Sequence, residues 1–216
     1  MSRSGELACA LVMLACVAVA VWRRDVTWCA AGGLVIQGAR IGTAFARWTP
    51  TGGFGVANTI TLLRLVLVAA LGPALVALPR FVFVAALLAL FALDAADGRI
   101  ARARGEASPF GAAFDMETDA LAIMMLALLL WQHGLVAAWV LVAGLWRYVY
   151  AAIVALVPPL GEAPRSQLAR VIFVILALSL TLAFLPRPAL APPLAALGTI
   201  LVSISFLRSF LYSLRG

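Results

Sequence analysis

Apolar residues fall in long runs separated by brief polar breaks, a pattern that predicts helices with no wet face. Residues 7–22 form the first run, closed by Arg23, Arg24 and Asp25. A helix needs roughly 20 apolar residues to cross a bilayer. The next run, residues 26–39, is shorter, contains Gly32, Gly33 and Gln37, and is bounded by Arg40 and Arg47. It predicts an interfacial or re-entrant helix. The segment WTPTGGFG at 48–55 reads as a loop. Six further spans are predicted at 57–78, 81–102, 110–131, 135–157, 167–186 and 192–212, divided at Pro79, Ser108 and Pro109, Gly134, Pro158 and Pro159, and the prolines from Pro186 to Pro193. No small-residue cleavage pattern follows the first run, so it reads as a retained anchor. The expected architecture is all-α and integral to a membrane. An extension at 1–55 carries one transmembrane helix and one interfacial helix, and a six-helix transmembrane core follows at 56–216. There is no internal repeat and no second domain.

Composition supports that solvent: 65% of residues are hydrophobic and only 12% charged, too greasy for a soluble core. All 16 basic residues are arginine, and the net charge is +7. The isoelectric point near 10.6 would point to nucleic acid in a soluble protein. Here the arginines fall mostly between spans, where the positive-inside rule accounts for them, and nucleic acid is not expected as a partner. If the connection after the second core span is cytoplasmic, Arg40, Arg47, Arg99, Arg102, Arg104, Arg165, Arg170 and Arg215 share that side, leaving chiefly Arg80 and Arg187 opposite. This orientation puts the amino terminus outside. Cys9, Cys16 and Cys29 lack metal-finger spacing and read as packing residues. His133 reads as part of a short interfacial turn, and Trp139, Trp146, Tyr148 and Tyr150 as packing or interfacial aromatics.

The chemistry is concentrated. Six of the nine acidic residues, Asp94, Asp97, Glu106, Asp115, Glu117 and Asp119, lie within 26 residues. Ionisable groups at membrane depth are costly and mark functional sites. At about 100° per residue, Asp94, Asp97, Gly98 and Ala101 share a helix face, and Gly111, Asp115 and Asp119 line a second. Two such helices packed antiparallel bring four carboxylates together. Those charges repel unless a cation lies among them, and hard oxygen ligands without His or thiolate suit Mg²⁺, Mn²⁺ or Ca²⁺. Gly98, Ala101 and Gly111 leave room for a ligand, and Arg102 stands one turn on for a phosphate. Arg64 and Arg147 lie inside apolar spans and need an anion, either an acceptor phosphate or lipid head group, or else they pair with the acidic cluster or snorkel to the interface.

Asp94, Asp97, Gly98, Ala101, Arg102, Gly111, Asp115 and Asp119 spell Asp-x2-Asp-Gly-x2-Ala-Arg-x8-Gly-x3-Asp-x3-Asp. In this the chain resembles the CDP-alcohol phosphatidyltransferases at every motif position. Asn58, Thr61 and Arg64 resemble that family's upstream Asn-x2-Thr-x2-Arg, and the likeness covers about residues 56–212. It implies a membrane enzyme of phospholipid biosynthesis that moves a phosphatidyl group from a CDP-linked lipid donor, such as CDP-diacylglycerol, to an alcohol acceptor, releasing CMP. It further implies two Mg²⁺ or Mn²⁺ ions held by Asp94, Asp97, Asp115 and Asp119, with Asp119 as general base. Gly98, Ala101, Arg102, Gly111, Asn58 and Thr61 would line the CDP pocket. Apart from the resemblance, Arg64, Arg147 and Arg170 are read as acceptor contacts, although positive-inside charge accounts equally well for Arg170. A homodimer in the bacterial inner membrane, its site facing the cytoplasm, completes the expectation. The loop at 158–170 lacks the lysines associated with phosphatidylglycerophosphate synthases, which weighs against glycerol-3-phosphate as acceptor. A UbiA-like prenyltransferase is the rival enzyme, although its two aspartate motifs lie farther apart on a longer bundle. A metal-ion transporter is the rival of another class, and it leaves Arg102 and the small residues without purpose.

Overall fold

In the computed structural model, which describes residues 3–157 and 167–213 apart from the side chains of residues 95–97, all regular secondary structure among the described residues is helical. Helices α1 (Arg3–Arg23) and α2 (Thr27–Thr43) precede α3 (Val56–Ala69), α4 (Leu71–Ala77), α5 (Arg80–Ala103) and α6 (Pro109–Gln132). Helices α7 (Leu141–Leu156), α8 (Gln167–Leu182) and α9 (Ala191–Ser213) complete the order, with short 3₁₀ turns at Ala138–Val140 and Pro188–Leu190. Among the described residues, four helical segments are long and apolar enough to cross a membrane: α1, α5, α9, and α7 with its preceding 3₁₀ turn. A fifth is the pair α3 and α4, bent by 57°. The bend follows from Pro73, which has no N–H for the Ala69 carbonyl and crowds it with its ring. Helix α6 is as long as α5 but carries Asp115, Glu117 and Asp119 in its first half, and α8 has only 16 residues.

Helix α6 is the axis of the bundle. From Ala120 to Leu130 every residue is buried, so it is apolar all round, as a central helix must be. Helices α2, α3, α7 and α8 pack against it. Its amino-terminal half bears the acidic residues, and this end of the bundle is the acidic end.

Helix α2, expected as an interfacial or re-entrant helix, packs along α6. At its start, Val26 touches Gly72, while Arg24 stacks on Trp131, 5.6 Å from the ring centroid, at the end of the bundle opposite the acids. Farther on, Gly33 meets Leu121, Gln37 Nε2 donates to Phe114 O (3.1 Å) and Thr118 Oγ1 (3.2 Å), and Arg40 approaches Glu117 (3.8 Å). Seventeen residues at 1.5 Å each make about 25 Å, and α2 spends that length running antiparallel to α6. Helix α1 forms a hairpin with it, Gly32 of α2 lying against Cys16 and Met13. The amino terminus therefore comes to the acidic end, not to the opposite one that the arginine distribution and an interfacial α2 had required. The groups of α6 that Gln37 Nε2 and Arg40 meet, the Phe114 carbonyl, Thr118 and Glu117, are absent from the local pattern of α2.

Candidate active site

Three helices converge at the acidic end, and local sequence fixes each. Helix α6 starts at Ser108, whose hydroxyl caps it by accepting from Gly111 N (3.0 Å), with Pro109 in the first turn. The same hydroxyl donates to Trp48 O (2.6 Å), tying α6 to the segment that precedes α3. Helix α3 starts after Gly55, whose φ of 81° and crowding by Glu106 and Thr49 leave no room for a side chain. Its first turn is held by Glu106 of the α5–α6 connection, which accepts from Ala57 N (3.1 Å) and pairs with Arg104 (2.9 Å). The Arg104 guanidinium, and after it the Ala57 N–H, hold the Glu106 carboxyl below the ordinary range. Where α3 meets α6, a Cβ on Gly111 would stand 2.9 Å from Asn58 Oδ1. Asn58 is itself pinned, donating to Phe54 O (2.7 Å) and Trp48 O (3.3 Å).

These anchors set Arg64 of α3 among the acids of α5 and α6. Its Nη1 lies 2.8 Å from Asp94 Oδ1 and 2.8 Å from Asp115 Oδ1, and its Nη2 lies 2.5 Å from Asp119 Oδ1. The Arg64 side chain is wholly buried, whereas those of Asp94, Asp115 and Asp119 are 25%, 32% and 17% exposed. The carboxylates thus reach the surface of the cluster and the guanidinium forms its floor. Of the partners considered for Arg64, the acidic cluster is the one found here. Asp94, Asp115 and Asp119 each offer an oxygen, and the three lie within 4.8 Å of one another. An all-oxygen donor set that close suits a hard divalent cation. The Asp97 side chain lies outside the described residues.

The other expected residues divide between this cluster and its surroundings. Gly98 and Ala101 are half-buried on the last turns of α5, and the exposed Arg102 folds back so that its Nη1 would stand 3.6 Å from a Cβ on Gly98. Asn58 and Thr61 are buried, and Thr61 donates to Ala57 O (3.2 Å). Arg147 is not among the aspartates. Its Nη2 donates to Glu117 Oε1 (2.7 Å), and Glu117, two residues beyond Asp115, projects about 200° round the helix. Arg170 is exposed in the first turn of α8. Arg165, Ser166 and Arg215 lie outside the described residues.

Residues that sequence reasoning passed over do much of the positioning. Glu106 was counted among the acids without a role, and Ser108 only as a break. Phe54, Phe110 and Phe114 form an aromatic cluster with Trp48 between the 48–55 segment and α6, at centroid separations of 5.5–6.4 Å. The cue was present for Ser108, because Ser-Pro before an apolar run is a helix-start signal. For the hold of Glu106 on α3 there was none, since Ala57 lies 49 residues away.

The family model described as CDP-alcohol phosphatidyltransferase matches residues 54–209. Neither the curated proteins nor the solved structures gave a match. The match takes in all the helices that carry the aspartates and Arg64, begins at the aromatic anchor of α3, and leaves out the α1–α2 hairpin. With nearly three quarters of its length matched, and with apolar helices that make it an integral membrane protein, the chain belongs to the CDP-alcohol phosphatidyltransferase family, whose members transfer a phosphatidyl-type group from a CDP-alcohol.

Proposed function

We propose that the protein transfers a phosphatidyl group from a CDP-activated lipid, such as CDP-diacylglycerol, to the hydroxyl of an acceptor alcohol. The acceptor oxygen bonds to the lipid-bearing phosphorus, the pyrophosphate bridge breaks, and its electron pair leaves with CMP. The hydroxyl proton passes to the carboxylate of Asp119, the general base. The observation that carries this reading is the meeting of Asp94, Asp115 and Asp119 oxygens within 4.8 Å at the end of a membrane bundle. Asp94, Asp97, Asp115 and Asp119 would hold Mg²⁺ or Mn²⁺, and cations bound there would neutralise the charge of the pyrophosphate.

The protein's own groups do the rest. Gly98 and Ala101 leave space beside the backbone for the nucleotide, Gly111 lets Asn58 and Thr61 of α3 come close to α6 beside it, and Arg102 offers a fork for phosphate. Arg64, Arg147 and Arg170 are assigned to the acceptor side, Arg64 resting on the aspartates and Arg147 on Glu117 before an acceptor arrives. Positioning and fixed charge supply most of the acceleration in phosphoryl transfer. The arginine distribution supports a site facing the cytoplasm of a bacterial inner membrane, and the resemblance supports a homodimer.

The test is to reconstitute the protein in proteoliposomes with labelled CDP-diacylglycerol and a panel of alcohols. CMP release that requires Mg²⁺ or Mn²⁺, and one alcohol, is the expected result. Ion flux without CMP would favour the transporter reading instead.

A further inference from the structure

The Arg64 guanidinium occupies the oxygens that a divalent cation would need. One nitrogen, Nη1, bridges Asp94 and Asp115, and the other holds Asp119, so all three candidate ligands are engaged by one side chain from a third helix. Carboxylate ligands sit about 2.0–2.2 Å from Mg²⁺ or a similar ion. An ion among these oxygens would press against Nη1, with like charges a few ångströms apart in a poorly solvated place, where repulsion is strong. Arginine and cation therefore compete for the cluster.

We propose that Arg64 is a built-in counter-ion that exchanges with the divalent cation: it neutralises the aspartates until metal binds, then leaves them. The deduction rests on the metal reading given above and adds to it. The chemistry of the side chain fits both states. Guanidinium keeps its charge under all conditions of interest, so it cannot yield the site by losing a proton. It must move, and three ion pairs must break as metal bonds form. The Asp119 oxygen that accepts from Nη2 becomes available to take a proton only after that move, so exchange also unmasks the base. Once displaced, the fork is within the same site for the phosphate oxygens a substrate brings. The buried position of Arg64 adds a stability role: without its charge, the repulsion among three partly buried carboxylates is no longer offset by that guanidinium.

Mn²⁺ binding to the full chain in detergent, read by the electron paramagnetic resonance of the free ion, tests the proposal without any turnover. Arg64→Gln keeps the polar bulk and removes the competing charge. It is expected to bind Mn²⁺ at least about tenfold more tightly than the wild type, because the repelling unit charge is gone. Binding that is equal or weaker in Arg64→Gln overturns the exchange. A second measurement needs no variant. Phenylglyoxal modification of Arg64 in the wild type, located by mass spectrometry, should rise when Mn²⁺ is added, and unchanged or reduced labelling overturns the exchange as well. The metal reading fails separately, by a wild type that binds no Mn²⁺ at the cluster at all.

Discussion

Gly111 and Asn58 show how little slack the site has. The Asn58 amide is fixed by two carbonyls and cannot retreat, so a methyl on Gly111, 2.9 Å from its oxygen, must push α6 away from α3. Gly111→Ala is expected to cost about 1–3 kcal/mol, the usual range for overpacking, seen as a lower unfolding midpoint in detergent. A midpoint equal to the wild type's would show that the two helices are not in contact there. Such a shift also separates Arg64 from Asp115 and Asp119, so activity should fall more than stability alone explains. Asp119→Asn separates chemistry from binding. Removal of a general base is expected to slow turnover about 10²–10⁴-fold, with CDP-lipid binding in the presence of Mn²⁺ largely retained. Near-normal turnover would remove Asp119 from that role. The four aspartates were legible in the sequence because three- and four-residue spacings are local facts about a helix. The partnership of Arg64 was legible only as one option among several, since choosing among them depends on how α3 packs.

At the level of elements, the α5–α6 connection both joins the two acidic helices and holds the start of α3 through Glu106. Its carboxyl titrates below the ordinary range because Arg104 and the Ala57 N–H favour the ionised form. A depressed carboxyl contributes stability above its unfolded pKa, about 4.3, and that contribution is lost as pH falls through the folded value. The wild type is therefore expected to be more stable than Glu106→Gln near pH 7, with the difference closing below about pH 4. Thermal unfolding of both proteins across pH checks this, and a difference that persists or grows in acid would contradict it. The bend between α3 and α4 was within reach of sequence reasoning, since Pro73 sits inside a run read as one span. The packing of α2 along α6 was not. Gln37 and Arg40 look like reasons to stay at an interface until the Phe114 carbonyl, Thr118 and Glu117 are seen facing them.

Across the whole molecule, the hairpin of α1 and α2 brings the amino terminus to the end where the aspartates lie. In a background lacking Cys9, Cys16 and Cys29, Ser4→Cys and Ala107→Cys should react with an impermeant maleimide from one side of sealed vesicles, and Arg187→Cys from the other. Labelling of Ser4→Cys together with Arg187→Cys would restore the topology expected from run lengths. The six-helix core was legible because apolar runs and proline breaks are dense there, and the family match covers that same region. The hairpin lies outside the match, and its arrangement depends on contacts that no run length encodes. The account rests on a cation-dependent transfer from a CDP-lipid at the aspartate cluster. Its most direct measurement is CMP release from CDP-diacylglycerol by the purified wild type, before and after removal of divalent cations with EDTA and again after Mn²⁺ is restored. Release that stops with EDTA and returns with Mn²⁺ is predicted; release that continues at the same rate in EDTA would contradict the account.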